Sequence, residues 1–235
     1  TQGYSSAASD VYKRQILNNP IDWELFRNKT VLVTGATGRL GMYIVEAINK
    51  ADIDWNLNVT ILALARNEKK MQDVFGESLK LPNIHPIVQD ITEPIRWDGP
   101  VHYIFHTAGA ASPQDFTNWP VDTLWGHIQG TRNVLELARE KKAEKILYVS
   151  TVEVYGEWKS EQGIKEDDMG PMHCDNARAC YPEAKRMCET MLASYEAQYD
   201  IPYIGVRLCH TFGPGIVLDD GRAFSMDFKS VCNGA

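Results

Sequence analysis

Hydrophobic and polar positions alternate along this chain in two rhythms that change places every ten to twenty residues. Thr30–Thr34 (TVLVT) is a short β-branched apolar run and predicts a buried strand. A Gly-rich turn follows, and Met42–Lys50 then carries apolar residues at helical spacing. The pattern predicts a second strand at Val59–Ala65, a helix over Asn67–Phe75, a third strand at Ile84–Val88 and a fourth at His102–His106. Helical spacing returns over Val121–Lys142 through Leu124, Ile128, Val134, Leu135 and Ala138. A fifth strand at Lys145–Ser150, a long helix over Arg178–Tyr199 and a sixth strand at Tyr203–Leu208 complete the series. Strands alternating with helices imply parallel strands joined by crossovers, hence an α/β, doubly wound parallel sheet with helices on both faces. No internal repeat or low-complexity linker interrupts it. Residues 1–15 show no clear period, and the stretch SSAASDVYKRQ resembles translated adapter sequence; it is expected to be a non-native or disordered tail without function. Ala223–Asn233 reads as the start of another helix.

Composition narrows the class without changing this picture. Of 235 residues, 44% are apolar and 23% charged, which excludes wholesale disorder and collagen-like repetition. No apolar run reaches bilayer-spanning length, and the first residues lack the apolar core of a signal peptide, so no membrane association is expected. Lys and Arg number 24 against 31 Asp and Glu, a net charge of −7, which argues against a sequence-independent nucleic-acid binder. Small anionic ligands remain compatible, because backbone N–H groups and one or two Arg bind them locally. The five cysteines form no CxxC pair and are odd in number; they predict neither a disulfide framework nor a zinc site, but small buried apolar residues in a reducing cytoplasm. The six Trp are scattered, and core or edge packing is their expected role.

The segment Thr34-Gly35-Ala36-Thr37-Gly38-Arg39-Leu40-Gly41 joins strand one to helix one with glycines spaced GxxGxxG. Gly35 permits a tight turn, Gly38 lets the backbone approach a pyrophosphate, and Gly41 lets the helix pack close to the sheet. The free N–H groups of the helix start then face the phosphates, so this turn predicts dinucleotide binding. At the end of strand two an acid favours NAD and an Arg accommodates the 2′-phosphate of NADP. The chain reads Leu64-Ala65-Arg66-Asn67 there, without an acid. Arg66 leans toward NADP or simply faces solvent. Asp90, ending strand three, either accepts from the adenine amino group or caps the following segment.

Tyr181-Pro182-Glu183-Ala184-Lys185 places a phenol and an ammonium four residues apart, on one helix face. Pro182 fits only in a first turn, which puts Tyr181 near the helix start. A neighbouring ammonium favours phenolate over phenol, so Tyr181 can act as a base and Lys185 can hold a ribose. Thr151 lies just past strand five, where ligands of doubly wound sheets bind, and can hydrogen-bond a hydroxyl being oxidised. Glu153 is either a second acid or base, or an exposed loop carboxylate.

Together these segments resemble the extended short-chain dehydrogenase/reductase family, the NAD-dependent epimerase/dehydratases that act on nucleotide sugars. The resemblance runs from about Asn28 to Gly234. It rests on TGATGRLG, HTAGAASP (His106–Pro113), YVSTVEVYG, RACYPEAKR (Arg178–Arg186), RLCHTFGPG (Arg207–Gly215) and LDDGRAF (Leu218–Phe224). The ASP tripeptide, the RACY lead-in and the LDDGR segment look most like UDP-glucuronate decarboxylases, with 4,6-dehydratases next. The resemblance implies an NAD(P)-binding domain over 16–210 and the start of a truncated substrate-binding domain over 211–235. It implies a redox-neutral cycle in which tightly held NAD oxidises sugar C4, Tyr181 removes the hydroxyl proton with Thr151, Glu153 and Lys185 in attendance, and the 4-keto sugar loses carbon dioxide, loses water or inverts. It implies cofactor contacts at Gly35, Thr37, Gly38, Arg39, Leu40, Gly41, Arg66, Asp90, Ile91, Ala108, Gly109, Tyr181 and Lys185, substrate contacts at Ser112, His210 and Arg222, and no metal. Decarboxylases carry Thr-Ser-Glu after strand five and dehydratases Thr-Asp-Glu, whereas this chain has Thr151-Val152-Glu153; Val152 handles no proton, which disfavours dehydration more than decarboxylation. His127 and His210 stand where the family has Asn, as new ligand contacts or, preferably, structural histidines. Family members pair as homodimers through the helices matching Val121–Lys142 and Arg178–Tyr199. An NADP-linked reductase and a non-catalytic dinucleotide binder are the alternative readings.

Overall fold

Six parallel strands form one sheet in the order β3-β2-β1-β4-β5-β6, in a computed structural model that describes residues 15–157 and 163–211. The strands are β1 (Thr30–Thr34), β2 (Thr60–Ala65), β3 (Ile84–Val88), β4 (Tyr103–His106), β5 (Lys145–Thr151) and β6 (Tyr203–Leu208). The helices that accompany them include α1 (Arg39–Trp55), α2 (Glu68–Phe75), α3 (Pro113–Asn118), α4 (Pro120–Lys141) and α5 (Cys180–Tyr199). The register aligns Thr34 with Leu64 on one side and with His106 on the other, so three strand ends lie level beside the glycine turn.

The alternation within β1 divides the core. Val31 and Val33 face the layer built on α1 and α2, where Val45, Ile48, Met71 and Phe75 are buried. Leu32 faces the opposite layer with Ile104, Ile146, Val134 of α4 and Leu192 of α5. Side-chain caps start the shorter helices: Asn67 accepts from the Lys70 amide at 2.8 Å to begin α2, and Ser112 accepts from the Asp115 amide at 3.2 Å to begin α3. Left-handed residues end the longer ones, with Asn56 at φ 49° after α1, Lys142 at φ 54° after α4 and Asp200 at φ 58° after α5.

The strands fall where the hydrophobic rhythm puts them, to within a residue. β3 carries Pro86 in its middle, which an edge strand tolerates because among the described residues one side of its backbone has no partner strand. The long helix begins two residues later than Arg178, because a 3₁₀ turn at Ala177–Ala179, capped by Asn176, precedes it. The six-residue helix α3 has no counterpart in the periodicity; with Phe116 as its single buried residue it is too short to show one. Its start was signalled nonetheless by Ser-Pro-x-Asp, a cap followed by proline in the first turn. The expected helix over Ala223–Asn233, and the domain start at 211–235 apart from Thr211, lie outside the described residues, as does the tail up to Arg14.

Two glycines respond oppositely to a methyl group. A Cβ on Gly41 would stand 2.4 Å from the Gly35 carbonyl oxygen, whereas one on Gly126 in α4 would meet nothing within 4 Å. Gly41→Ala is expected to lower the thermal midpoint by several degrees, from about 1–3 kcal/mol of overpacking. Gly126→Ala is expected to raise it slightly, by roughly 0.5–1 kcal/mol of helix propensity. Differential scanning calorimetry of both variants checks the contrast.

Candidate active site

Strand order reverses between β1 and β4, the switch point at which doubly wound sheets open a crevice. Gly35 makes the turn there at φ +65°, and a Cβ on it would lie 2.8 Å from the Ala108 backbone. Gly38 then leads into α1 in extended conformation, and no side chain caps the helix, which leaves first-turn amides for a ligand. A cleft of about 820 Å³ opens beside this turn. Gly35, Thr37, Arg66, Asp90, Ile91, Ala108 and Gly109 line it, while Gly38, Arg39, Leu40 and Gly41 stand outside the lining, in the turn and the helix start. The uncapped helix, the glycine at positive φ and the cleft's size fit a dinucleotide.

The cleft's outer walls come from residues without a local signature. Trp119 and Trp125 line it at 63% and 56% exposure, so these two indoles depart from the expected core or edge packing. Asp115 and Asp122 stand in the same walls. On the β3 side, the Asp90 carboxylate accepts from the Thr92 amide at 2.9 Å and the Thr92 hydroxyl at 2.7 Å. Those bonds hold its carboxyl below the ordinary range, with a smaller push from the Arg66 charge. Asp90 thus caps a turn, and no helix follows it.

Tyr181, Lys185 and Thr151 lie outside the cleft lining. The Lys185 amine stands 6.0 Å from the Tyr181 ring centroid and 4.6 Å from that of Tyr148, and donates to the Val149 carbonyl at 2.7 Å. Burial pulls this amine down to about 8. Thr151 ends β5, and its hydroxyl oxygen accepts from the Glu153 amide at 3.2 Å. Tyr181 is buried and stacked on Phe116, ring centroids 4.3 Å apart at 16°. The Arg178 guanidinium lies 4.7 Å from the Phe116 ring and donates to the Glu153 carboxylate at 2.9 Å. Phe116 and Arg178 are components that sequence reasoning missed, because they meet only through the docking of α3 on the 3₁₀ turn that precedes α5.

His127 separates the cleft from this compartment. Its ring meets the Tyr181 ring edge-on at 5.4 Å, and its Nε2 hydrogen-bonds the Ala110 carbonyl at 2.9 Å. A Cβ on Gly109 would fall 2.1 Å from the imidazole, so only glycine lets the cleft floor pass. Behind it runs a buried chain of polar groups. The Ala108 amide donates to Thr34 Oγ1 at 3.2 Å, and Thr34 Oγ1 meets His106 Nδ1 at 2.7 Å. His106 Nε2 meets Thr131 Oγ1 at 3.1 Å, and that hydroxyl donates to Cys188 Sγ at 3.1 Å. Since Thr131 gives its proton to sulfur, His106 must donate to it from Nε2 and accept from Thr34 at Nδ1. The partners therefore fix a neutral imidazole in one tautomer. Burial, then the Lys185 charge, drives both His106 and His127 down to about 3.

The remaining candidates are dispersed. The Ser112 hydroxyl caps α3 and donates to Asp115 at 2.7 Å. His210 is exposed near the end of the described residues, unlike the packed His127, and Arg222 lies beyond them. Arg39 donates to the Thr211 carbonyl at 2.8 Å. Cys180 and Cys188 are buried as expected, but Cys174 and Cys209 are exposed. Among the described residues no cluster of metal-ligating side chains occurs, and no helix is long and apolar enough to cross a membrane.

Known proteins share this arrangement of sequence and fold. Residues 31–228 match the NAD dependent epimerase/dehydratase family. UDP-glucuronic acid decarboxylase 6 of Arabidopsis thaliana is 32% identical over 198 residues, covering 84% of this chain and 55% of the relative. The chain thus spans about half the length of the curated relatives it matches. Among solved structures, UDP-N-acetylglucosamine 4-epimerase from Methanobrevibacter ruminantium superposes with a TM-score of 0.70 at 22% identity, over 88% of this chain and 64% of that one. UDP-glucuronic acid 4-epimerase from Bacillus cereus, in complex with NAD, gives 0.68 at 21% identity, over 87% and 63%.

The two buried imidazoles set a dependence of stability on acid. Unfolded histidines take up protons as pH falls through about 6.5, while His106 and His127 stay neutral to about 3 in the folded chain. Between those limits the unfolded state binds more protons, so stability is lost as pH falls through that window. Each imidazole contributes a slope of up to about 1.4 kcal/mol per pH unit. Urea unfolding between pH 7 and pH 4 is expected to show a shallower decline for His127→Asn than for the unaltered chain.

Proposed function

This chain belongs to the NAD dependent epimerase/dehydratase family, and from that premise we propose that it modifies a nucleotide sugar through a 4-keto intermediate, as a lyase of the UDP-glucuronate decarboxylase type. The observation that carries the reading is the pair of Tyr181 and Lys185, its amine tied to the Val149 carbonyl near the carboxyl end of β5, one imidazole away from the dinucleotide-sized cleft. The 32% identity to UDP-glucuronic acid decarboxylases supports the choice of reaction.

Gly35, Thr37, Ala108 and Gly109 would hold the dinucleotide against the switch point, with the α1 amides toward its pyrophosphate. When bound, that cofactor supplies the acceptor and later the donor of the C4 hydride. Tyr181 accepts the proton of the sugar C4 hydroxyl, and Thr151 steadies that hydroxyl by hydrogen bonding. Lys185 stabilises the negative charge that gathers on the phenol oxygen. Burial lowers its value to about 8, so it is mainly protonated at neutral pH. Glu153, paired with Arg178, serves as a fixed negative charge. Val152 cannot protonate a leaving hydroxyl, which favours decarboxylation of a β-keto acid over loss of water. Two copies pair through α4 and α5, whose outward faces carry exposed Val121 and Met187.

Mass spectrometry after incubation with UDP-, dTDP-, GDP- and CDP-sugars distinguishes the chemistries, in this chain and in a version extended to the relatives' length. Loss of carbon dioxide from a UDP-uronate is expected; loss of water or unchanged mass would transfer the assignment to a dehydratase or an epimerase. Tyr181→Phe is expected to abolish 4-keto sugar formation and leave dinucleotide affinity nearly unchanged. Equal loss of both would remove Tyr181 as the base.

A further inference from the structure

A buried ammonium needs partners for its charge, because the loss of water is otherwise uncompensated. Lys185 is 6% exposed and meets groups from several elements. On its own helix the Glu189 carboxylate stands one turn on. It already accepts from Arg207 Nε and Nη2 and from the Ser150 hydroxyl, so its charge is matched elsewhere. Burial raises the Cys188 thiol, which therefore brings no negative charge at neutral pH. His106 of β4 and His127 of α4 are neutral there as well. On β5 the Val149 carbonyl accepts from the amine at 2.7 Å. Among the described residues that leaves the Tyr148 ring, whose centroid is 4.6 Å from the nitrogen, against 6.0 Å for Tyr181.

Tyr148 is fixed from its other sides. Strand alternation puts it on the face of β5 that also carries Ile146 and Ser150, and it is 1% exposed. It stands level with His106 in the register, and the two rings tilt against each other at 5.5 Å. Burial drives its phenol well above the ordinary value, so the ring stays neutral. We propose that Tyr148 is a positioning residue for Lys185, its ring face holding the ammonium charged and in place beside Tyr181. The proposal rests on the reading of Tyr181 and Lys185 as the reacting pair. An ammonium over an aromatic face is attracted by the ring quadrupole, and the attraction grows as water is excluded. An aliphatic side chain would fill much of the same space without supplying it.

The titration of Lys185 is followed through the ¹³Cε resonance in a chain labelled with ¹³C-lysine, the peak being assigned by its loss in Lys185→Arg. In the unaltered chain the midpoint is expected at about 8. Tyr148→Phe keeps the ring and is expected to leave the midpoint nearly unchanged. Tyr148→Leu is expected to lower it by about one unit, since losing a desolvated cation–π contact disfavours the charged form. Leucine also opens a cavity, so a second series places phenylalanine at position 148 with fluorine added stepwise. Fluorination keeps the shape and cancels the quadrupole, and each step is expected to move the midpoint further down. A midpoint that stays put across the fluorinated series overturns the proposal, because a merely space-filling ring gives that result. A Tyr148→Phe midpoint that falls as far as that of Tyr148→Leu overturns it too. No substrate enters these measurements. A midpoint that falls with fluorination supports the proposal even in a chain that forms no 4-keto sugar, an outcome that counts instead against the reaction.

Discussion

The imidazole of His106 is the pivot between the two halves of the site. It sits fully buried at the end of β4, level with Thr34 of β1, and reaches Thr34 with one nitrogen and Thr131 of α4 with the other. A group in that position must be neutral and satisfied at both nitrogens, since a buried donor or acceptor without its partner costs about 1–3 kcal/mol. The constraint propagates both ways. Toward β1 it orients the Thr34 hydroxyl, which takes the Ala108 amide and so draws the cleft floor against the glycine turn. Toward the helices it orients Thr131, which engages Cys188 on α5, one turn after Lys185. Glycine turn and ammonium are thereby referenced to one another through the protein interior.

The cleft and the tyrosine compartment differ in their electrostatics. The cleft carries three carboxylates and one guanidinium among its described lining residues. The compartment is dry enough that burial pulls Lys185 to about 8 and keeps the adjacent His127 uncharged. His127 has Gly109 against one side and Tyr181 on another. It is a packed imidazole that also borders both spaces, so the distinction between structural and ligand-facing histidine is one of degree at this position. A protonated imidazole here would face the Lys185 charge in a medium that screens poorly, which is why the residue is tolerated only as a neutral ring.

Local patterns made much of this legible. The alternation of strands and helices, the glycine spacing and the Tyr181–Lys185 pair each lie within a few residues, and the physics that shapes them is equally local. The components that eluded the sequence are pairings over long separations. His106 and Cys188 are linked through Thr131, and Glu153 and Phe116 both meet Arg178, yet nothing in the intervening residues announces either. The tryptophans illustrate the same limit: Trp23 stacks on Trp55 at 6.0 Å in keeping with an ordinary packing role, whereas Trp119 and Trp125 reach the cleft because α4 begins beside it. Composition alone makes no distinction between such residues.

Helix α3 adds no strand to the sheet and little to the main core; its part is to deliver one phenyl ring. Phe116 lies between the Arg178 guanidinium and the Tyr181 ring, and Cys180 beneath it points its sulfur at the Phe116 carbonyl, 3.9 Å away. The connection from β4 across 107–112 is consequently a measured spacer. Surface loops ordinarily absorb insertions and deletions with ease. Here a single added residue would carry the ring off its seat and leave the phenol uncovered, so length variation in this protein's descendants should accumulate in other connections and spare this one.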